Sequence, residues 1–187
     1  MPANKNCRTI EMITIEIIPL SGIEIERIGR INLGFSKTAV EALLGRPSPS
    51  SNAAQLYYDN YELRIDLNKT GEVEFIEFIN GPFPALTKLS IYGVDPFQVG
   101  ADNLIALLSA GNNGAIDDSE AGFCYTFLNI SVGIWRQMTS EDVEETIAEM
   151  KASGEYEENK RWLEEDLERS KQFWTIGIGV KDYYSQS

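Results

Sequence analysis

The chain has 187 residues and a mass of 20.9 kDa, enough for one domain or two small ones side by side, and its 43% apolar content can build a real core. Lys and Arg number 16 against 29 Asp and Glu, a net charge of −13, which argues against binding nucleic acid or an anionic membrane because both need a clustered basic surface. Histidine is absent, which excludes Ser-His-Asp and Cys-His catalysis and every His-containing metal site, and two cysteines, Cys7 and Cys124, are too few for an all-cysteine zinc site or a disulfide framework.

Residues 1–11 hold no apolar segment of signal-peptide length and no lipobox before Cys7, and no apolar run approaches a spanning helix. The expectation is a cytoplasmic protein with a disordered tail over 1–11. From Met12, Ile13, Ile15 and Ile17 alternate with polar residues, as do Ile23, Ile25 and Ile28 beyond the Pro19–Gly22 turn, which predicts a β-hairpin. Ser36 is a candidate N-cap for a short helix with Val40, Leu43 and Leu44 on one face, ended by Gly45 and Pro47. Strands are predicted at Leu56–Tyr58, Tyr61–Leu67 and Val73–Ile79, the last two joined by the turn Asn68–Gly71. Residues 80–87 read as a connector.

The second half repeats this plan. Leu89–Tyr92 reads as a strand and Pro96–Ser109 as a helix with Leu104, Ile105, Leu107 and Leu108 inward; strands follow at Gly122–Phe127, Ile130–Arg136 and Phe173–Val180. Leu43-Leu44 against Leu107-Leu108 gives an offset of 64, and Asn60 against Asn129 gives 69. The fold class expected is α+β: two pseudo-repeated helix-plus-antiparallel-sheet halves, 12–84 and 85–187, in one compact domain, with an acidic helical insertion at 137–171 in the second.

Two helical stretches fill that insertion. Ser140, Glu141 and Asp142 start the first, with Val143, Ile147 and Met150 at helical spacing; the second holds Tyr156, Trp162, Leu163 and Leu167. Thr139 to Lys171 carries five basic residues against twelve acidic ones, a local charge of −7. A basic protein partner would be steered by such a field, with Glu157, Glu158, Glu164, Glu165 and Glu168 as docking carboxylates and Tyr156 and Trp162 as anchors. The plainer alternative is an amphipathic lid whose Trp162 faces the core.

No catalytic, cofactor-binding or metal-binding residue is assigned. Glu164-Glu165 are neighbours on a helix and point apart, and Asp117-Asp118-Ser119-Glu120 lacks the spacing of a calcium loop. Gly177 and Gly179 lie in a strand pattern without a following helix, so they are read as floors beneath large aromatics. Cys124 is read as a small buried hydrophobe.

The stretch INLGFSKTAVEALLGRP (Ile31–Pro47), the aromatic strand after it and the turn LNKTGEV (Leu67–Val73) resemble, over Ile31 to Phe78, the helix-plus-sheet unit of β-lactamase inhibitory protein and of the small lipoprotein subunit of the bacterial outer-membrane assembly machine. The acidic character and the strand ending Val132-Gly-Ile-Trp-Arg136 are similar to bacterial toxin-immunity proteins. The resemblance implies a non-enzymatic protein-binding module, an immunity or inhibitor-type protein neutralising a basic toxin or enzyme. The alternative is a small-molecule binder or enzyme with a carboxylate and tyrosine cleft between the halves.

Overall fold

The structure, a computed structural model, describes residues 12–186; the tail expected over 1–11 lies outside them. It is a mixed α+β fold of four α-helices and eleven strands in two sheets. Ile13–Ile18 (β1) and Gly22–Ile25 (β2) form the expected hairpin with Ile15 opposite Ile25. Gly29–Asn32 (β3) extends it, a strand the sequence does not announce because Ile31 is its one apolar residue. Lys37–Leu44 (α1) follows, with the Ser36 hydroxyl accepting from Ala39 N, and Val40 is fully buried.

Gln55–Tyr58 (β4), Leu63–Leu67 (β5) and Val73–Phe78 (β6) pair antiparallel in order. A 3-10 turn at Asp59–Tyr61 and a left-handed Glu62 delay β5 relative to the predicted start. Thr87–Ile91 (β7) then joins β1 in parallel, Ile15 opposite Leu89. That pairing corrects the expectation of purely antiparallel sheets: a strand of the second half completes the sheet that the first half begins, in the order β3-β2-β1-β7.

The helix Ala101–Asn112 (α2) starts later than predicted, because the Asp95 carboxylate takes Phe97 N at 2.9 Å in a turn and Gly100 is extended. Ile116–Asp117 (β8) is too short to see in sequence. Cys124–Phe127 (β9), Val132–Trp135 (β10) and Thr175–Gly179 (β11) complete a seven-stranded antiparallel sheet, β4-β5-β6-β11-β10-β9-β8. Between β10 and β11 the chain leaves the sheet as Ser140–Ser153 (α3) and Tyr156–Arg169 (α4).

Side chains alternate across the large sheet. Leu63, Ile65, Ile76, Phe78, Val132, Ile134, Ile176 and Ile178 share one buried face and one core with Ile15, Ile25 and Leu89 of the small sheet, Val40 of α1 and Leu104 and Leu108 of α2. On the opposite face Gly177 lies beneath Phe75, where a Cβ would come within 2.3 Å of the ring, and Gly133 lies beneath the Tyr184 hydroxyl. Phe75 stacks on Tyr183 with centroids 4.7 Å apart, so the terminal tyrosine pair packs onto the sheet.

The two ends of this sheet share a register. Tyr58 faces Leu63 and Phe127 faces Val132, 69 residues on, with left-handed Glu62 (φ 52°) and Ser131 (φ 49°) at the same step. Ile79 N bonds to Glu62 O, and Gly179 N bonds to Ser131 O. At the centre, Ile76 faces Ile178 and Phe78 faces Ile176.

Candidate functional site

Helix α3 begins at Ser140 as expected, behind a capping box in which the Thr139 hydroxyl accepts from Asp142 N and the Asp142 carboxylate accepts from Thr139 N. Left-handed Gly154 ends it and α4 returns antiparallel. Val143 of α3 and Leu163 of α4 are buried, though neither is part of the main core. At its root the buried Arg136 donates from Nη1 to Ser170 O at 2.7 Å and from Nε to Gly122 O at 2.6 Å, with its guanidinium over the Phe173 ring. The remainder of both helices is largely polar and exposed.

The sequence-predicted residues divide. Glu164, Glu165 and Glu168 line a groove of about 640 Å3 together with Arg161, Arg169 and Phe83. Each of the three carboxylates also has a cation close by in sequence: Lys160 at 3.9 Å from Glu164, Arg161 at 3.1 Å from Glu165 and Lys171 at 2.5 Å from Glu168. Such exposed pairs contribute little stability and exchange readily. Tyr156, Glu157, Glu158 and Trp162 do not line the groove. Tyr156 is half-buried beneath the Lys151 ammonium, 4.8 Å from its ring, and Glu157 and Glu158 are exposed. Trp162 is 42% exposed and donates from Nε1 to Asn159 Oδ1 of its own helix. Leu163 is the α4 side chain that is fully buried.

Sequence reasoning missed the other wall of the groove. Phe83, in the connector between β6 and β7, is 59% exposed, more than any other large apolar side chain described. The connector is organised by Glu62, which is only 4% exposed. Its Oε1 accepts from Asn80 Nδ2 at 3.0 Å and Ala85 N at 2.8 Å; its Oε2 accepts from Leu86 N at 3.1 Å, Thr87 N at 3.0 Å and the Thr87 hydroxyl at 2.6 Å. Burial pushes the Glu62 carboxyl up, but these donors outweigh it and hold the group below the usual carboxylate range. An aromatic within Gly81-Pro-Phe-Pro84 was the available signal, since neither helical nor strand periodicity accounts for it.

Two further arrangements bear on chemistry. Arg64 Nη2 donates to Asp66 Oδ2 at 3.1 Å while Nη1 lies 3.2 Å from Glu77 Oε2, and Tyr183 is stacked over the neighbouring Phe75. Burial raises both carboxyls, and the shared guanidinium only partly offsets it. A second cleft, of about 660 Å3, opens between the first turns of α2 and α3, where Asp102, Glu141 and Asp142 face Arg136 and Lys171 beside Phe123 and Tyr125. Burial lowers the Arg136 pKa, and Asp142 is engaged in the capping box. Cys124 is half-buried; burial and the nearby Glu120 and Asp117 push its thiol up, away from a reactive thiolate. Among the described residues no three Cys, Asp or Glu side chains converge as metal ligands would, and no helix is long and apolar enough to cross a membrane. No family model, curated protein or solved structure matches the chain.

Proposed function

We propose that the protein is a non-enzymatic binding module for a basic protein partner, of the immunity or inhibitor type, acting against a toxin or enzyme. The observation that carries this reading is the outward face of α3. Glu144, Glu145 and Glu149 are exposed within one arc of the helix, opposite Val143 and Met150, and among the described residues none of the three forms an ion pair. Three unneutralised carboxylates on one helix face, within a chain of net charge −13, form a field that accelerates encounter with a cationic surface.

The duplication of one helix-plus-sheet unit, with α3 and α4 inserted in the second copy, belongs to the same proposal. It is supported by the common register at 69 residues across β4-β5 and β9-β10, which widens to 100 at Ile76 and Ile176, on the far side of α3 and α4. The two halves then present the hairpin from a shared scaffold.

The test pairs genetics with kinetics. The product of the gene next to this one is expressed alone and together with this protein, and the association rate of the pair is followed as salt rises. Arrested growth relieved by co-expression, and association that slows as screening shortens the field to about 8–10 Å, are the expected results. A harmless neighbour, together with no basic protein retained at low salt, refutes the reading.

A further inference from the structure

Phe83 is costly to leave in water, because an exposed phenylalanine forfeits burial that would favour folding. Its connector is nevertheless firmly tethered: besides the five hydrogen bonds to Glu62, Gly81 N donates to Trp174 O at 3.0 Å and Gln98 Nε2 to Pro82 O at 3.4 Å. Gly81 itself is wedged between the Phe97 ring and Trp174 O, with no room for a Cβ. A loop fixed this firmly does not turn its tip inward. The ring is held outward, facing the carboxylate stripe of α4 across the groove of about 640 Å3.

A protruding aromatic on a rigid support is suited to anchor an interface, since little conformational entropy is lost when it docks. The groove's chemistry specifies what it takes. One wall is an aromatic ring; the other carries three carboxylates and two arginines, Arg161 and Arg169, an excess of negative charge, and the cations paired to the carboxylates, Lys160, Arg161 and Lys171, are exposed and exchangeable. We propose that Phe83, presented by the Glu62-held connector, is the apolar anchor of a docking groove for a basic segment of a partner protein, one apolar residue of which lies against the ring while flanking lysines or arginines meet Glu164, Glu165 and Glu168. This rests on the basic-partner reading and adds the contact site: α3 supplies long-range attraction, and the Phe83 groove supplies the short-range fit.

The probe is a random twelve-residue peptide library displayed on phage and selected against the full chain at low salt, with enriched peptides then synthesised and titrated. The expected result is enrichment of Lys or Arg around an apolar residue, with amide shifts at Gly81, Phe83, Ala85 and Leu86 and over 161–169. Phe83→Ser, a change at an exposed position that leaves the unfolding midpoint unaltered, weakens binding by about tenfold or more, as loss of an anchor does. Phe83→Trp restores binding, and Trp162→Ala leaves it intact. Basic peptides that shift α3 amides and ignore Phe83→Ser overturn the groove and keep the basic-partner reading. Enrichment without basic bias, or none at all, overturns both. A dimer that Phe83→Ser dissociates, or a chain beginning at Met12 that binds the peptides about tenfold more tightly, a gain of about 1.4 kcal/mol, reassigns the groove to a second copy or to residues 1–11 and overturns the proposal.

Discussion

Removing the Glu62 carboxylate tests the connector most directly. Five donors converge on it, three of them backbone N–H groups at Ala85, Leu86 and Thr87, and Thr87 is buried. A hydrogen bond to a charged group is worth about 1.5–3 kcal/mol, and a buried donor left without an acceptor costs about 1–3 kcal/mol. Those figures are not additive here, because water reaches the partly exposed Asn80 and Ala85 once the side chain is gone. Glu62→Ala is therefore expected to cost about 3–5 kcal/mol, the range for breaking a buried charged network. Glu62→Gln keeps one accepting oxygen but sets an NH2 against donors, and is expected to cost about 2 kcal/mol. Glu62 is also left-handed at φ 52°, so Glu62→Gly relieves backbone strain while losing the carboxylate; comparing it with Glu62→Ala separates the two effects, by about 1 kcal/mol. The assay is urea unfolding followed by circular dichroism, with hydrogen exchange read at Ala85, Leu86 and Thr87. Because the folded carboxyl is held below its unfolded value, its contribution is complete above the ordinary carboxylate range and is lost as pH falls through the lowered folded value. A Glu62→Gln protein within about 0.5 kcal/mol of the parent, with unchanged exchange at those amides, would refute the latch.

Glu77 should show the opposite pH behaviour. Burial raises its folded pKa, so the folded state binds the proton more tightly and the parent gains stability relative to Glu77→Gln as pH drops from neutral through that raised value; a difference that stays constant between pH 7 and the ordinary carboxylate range, measured by urea midpoint, contradicts this. Within α4, Trp162→Ala is expected to cost under about 1 kcal/mol because the ring is largely exposed, whereas Leu163→Ala, fully buried, should cost about 2–4 kcal/mol; thermal unfolding of the two variants decides, and equal losses would place Trp162 in the hairpin's core.

Much of the fold was legible because period-two alternation is local. Ile13, Ile15 and Ile17, Leu63, Ile65 and Leu67, and Ile176 and Ile178 mark their strands without help from the rest of the chain. What the sequence hides is pairing. The parallel contact between β1 and β7 joins residues far apart in the chain, and neither strand's pattern states which way its neighbour runs. The carboxylates of α4 were legible as an acidic helix, yet Arg161 and Lys160 stand four residues before Glu165 and Glu164, a spacing that pairs charges along the same face. The unneutralised face is on α3.

Phe83 was hidden for a different reason: its exposure depends on a side chain more than twenty residues earlier. Glu62 and Ser131 occupy the same left-handed step before β5 and β10 and accept the same kind of backbone bond, from Ile79 and Gly179. Their side chains then do comparable jobs with different reach. The Ser131 hydroxyl donates to Val180 O at 2.8 Å, just past β11, and can secure little more than that one carbonyl. The longer Glu62 carries two acceptor oxygens into the chain past β6 and captures donors from Asn80 to Thr87. A serine at 62 would tie down the start of the connector and leave 83–87 free to collapse; the carboxylate secures both its ends and leaves Phe83 standing between them.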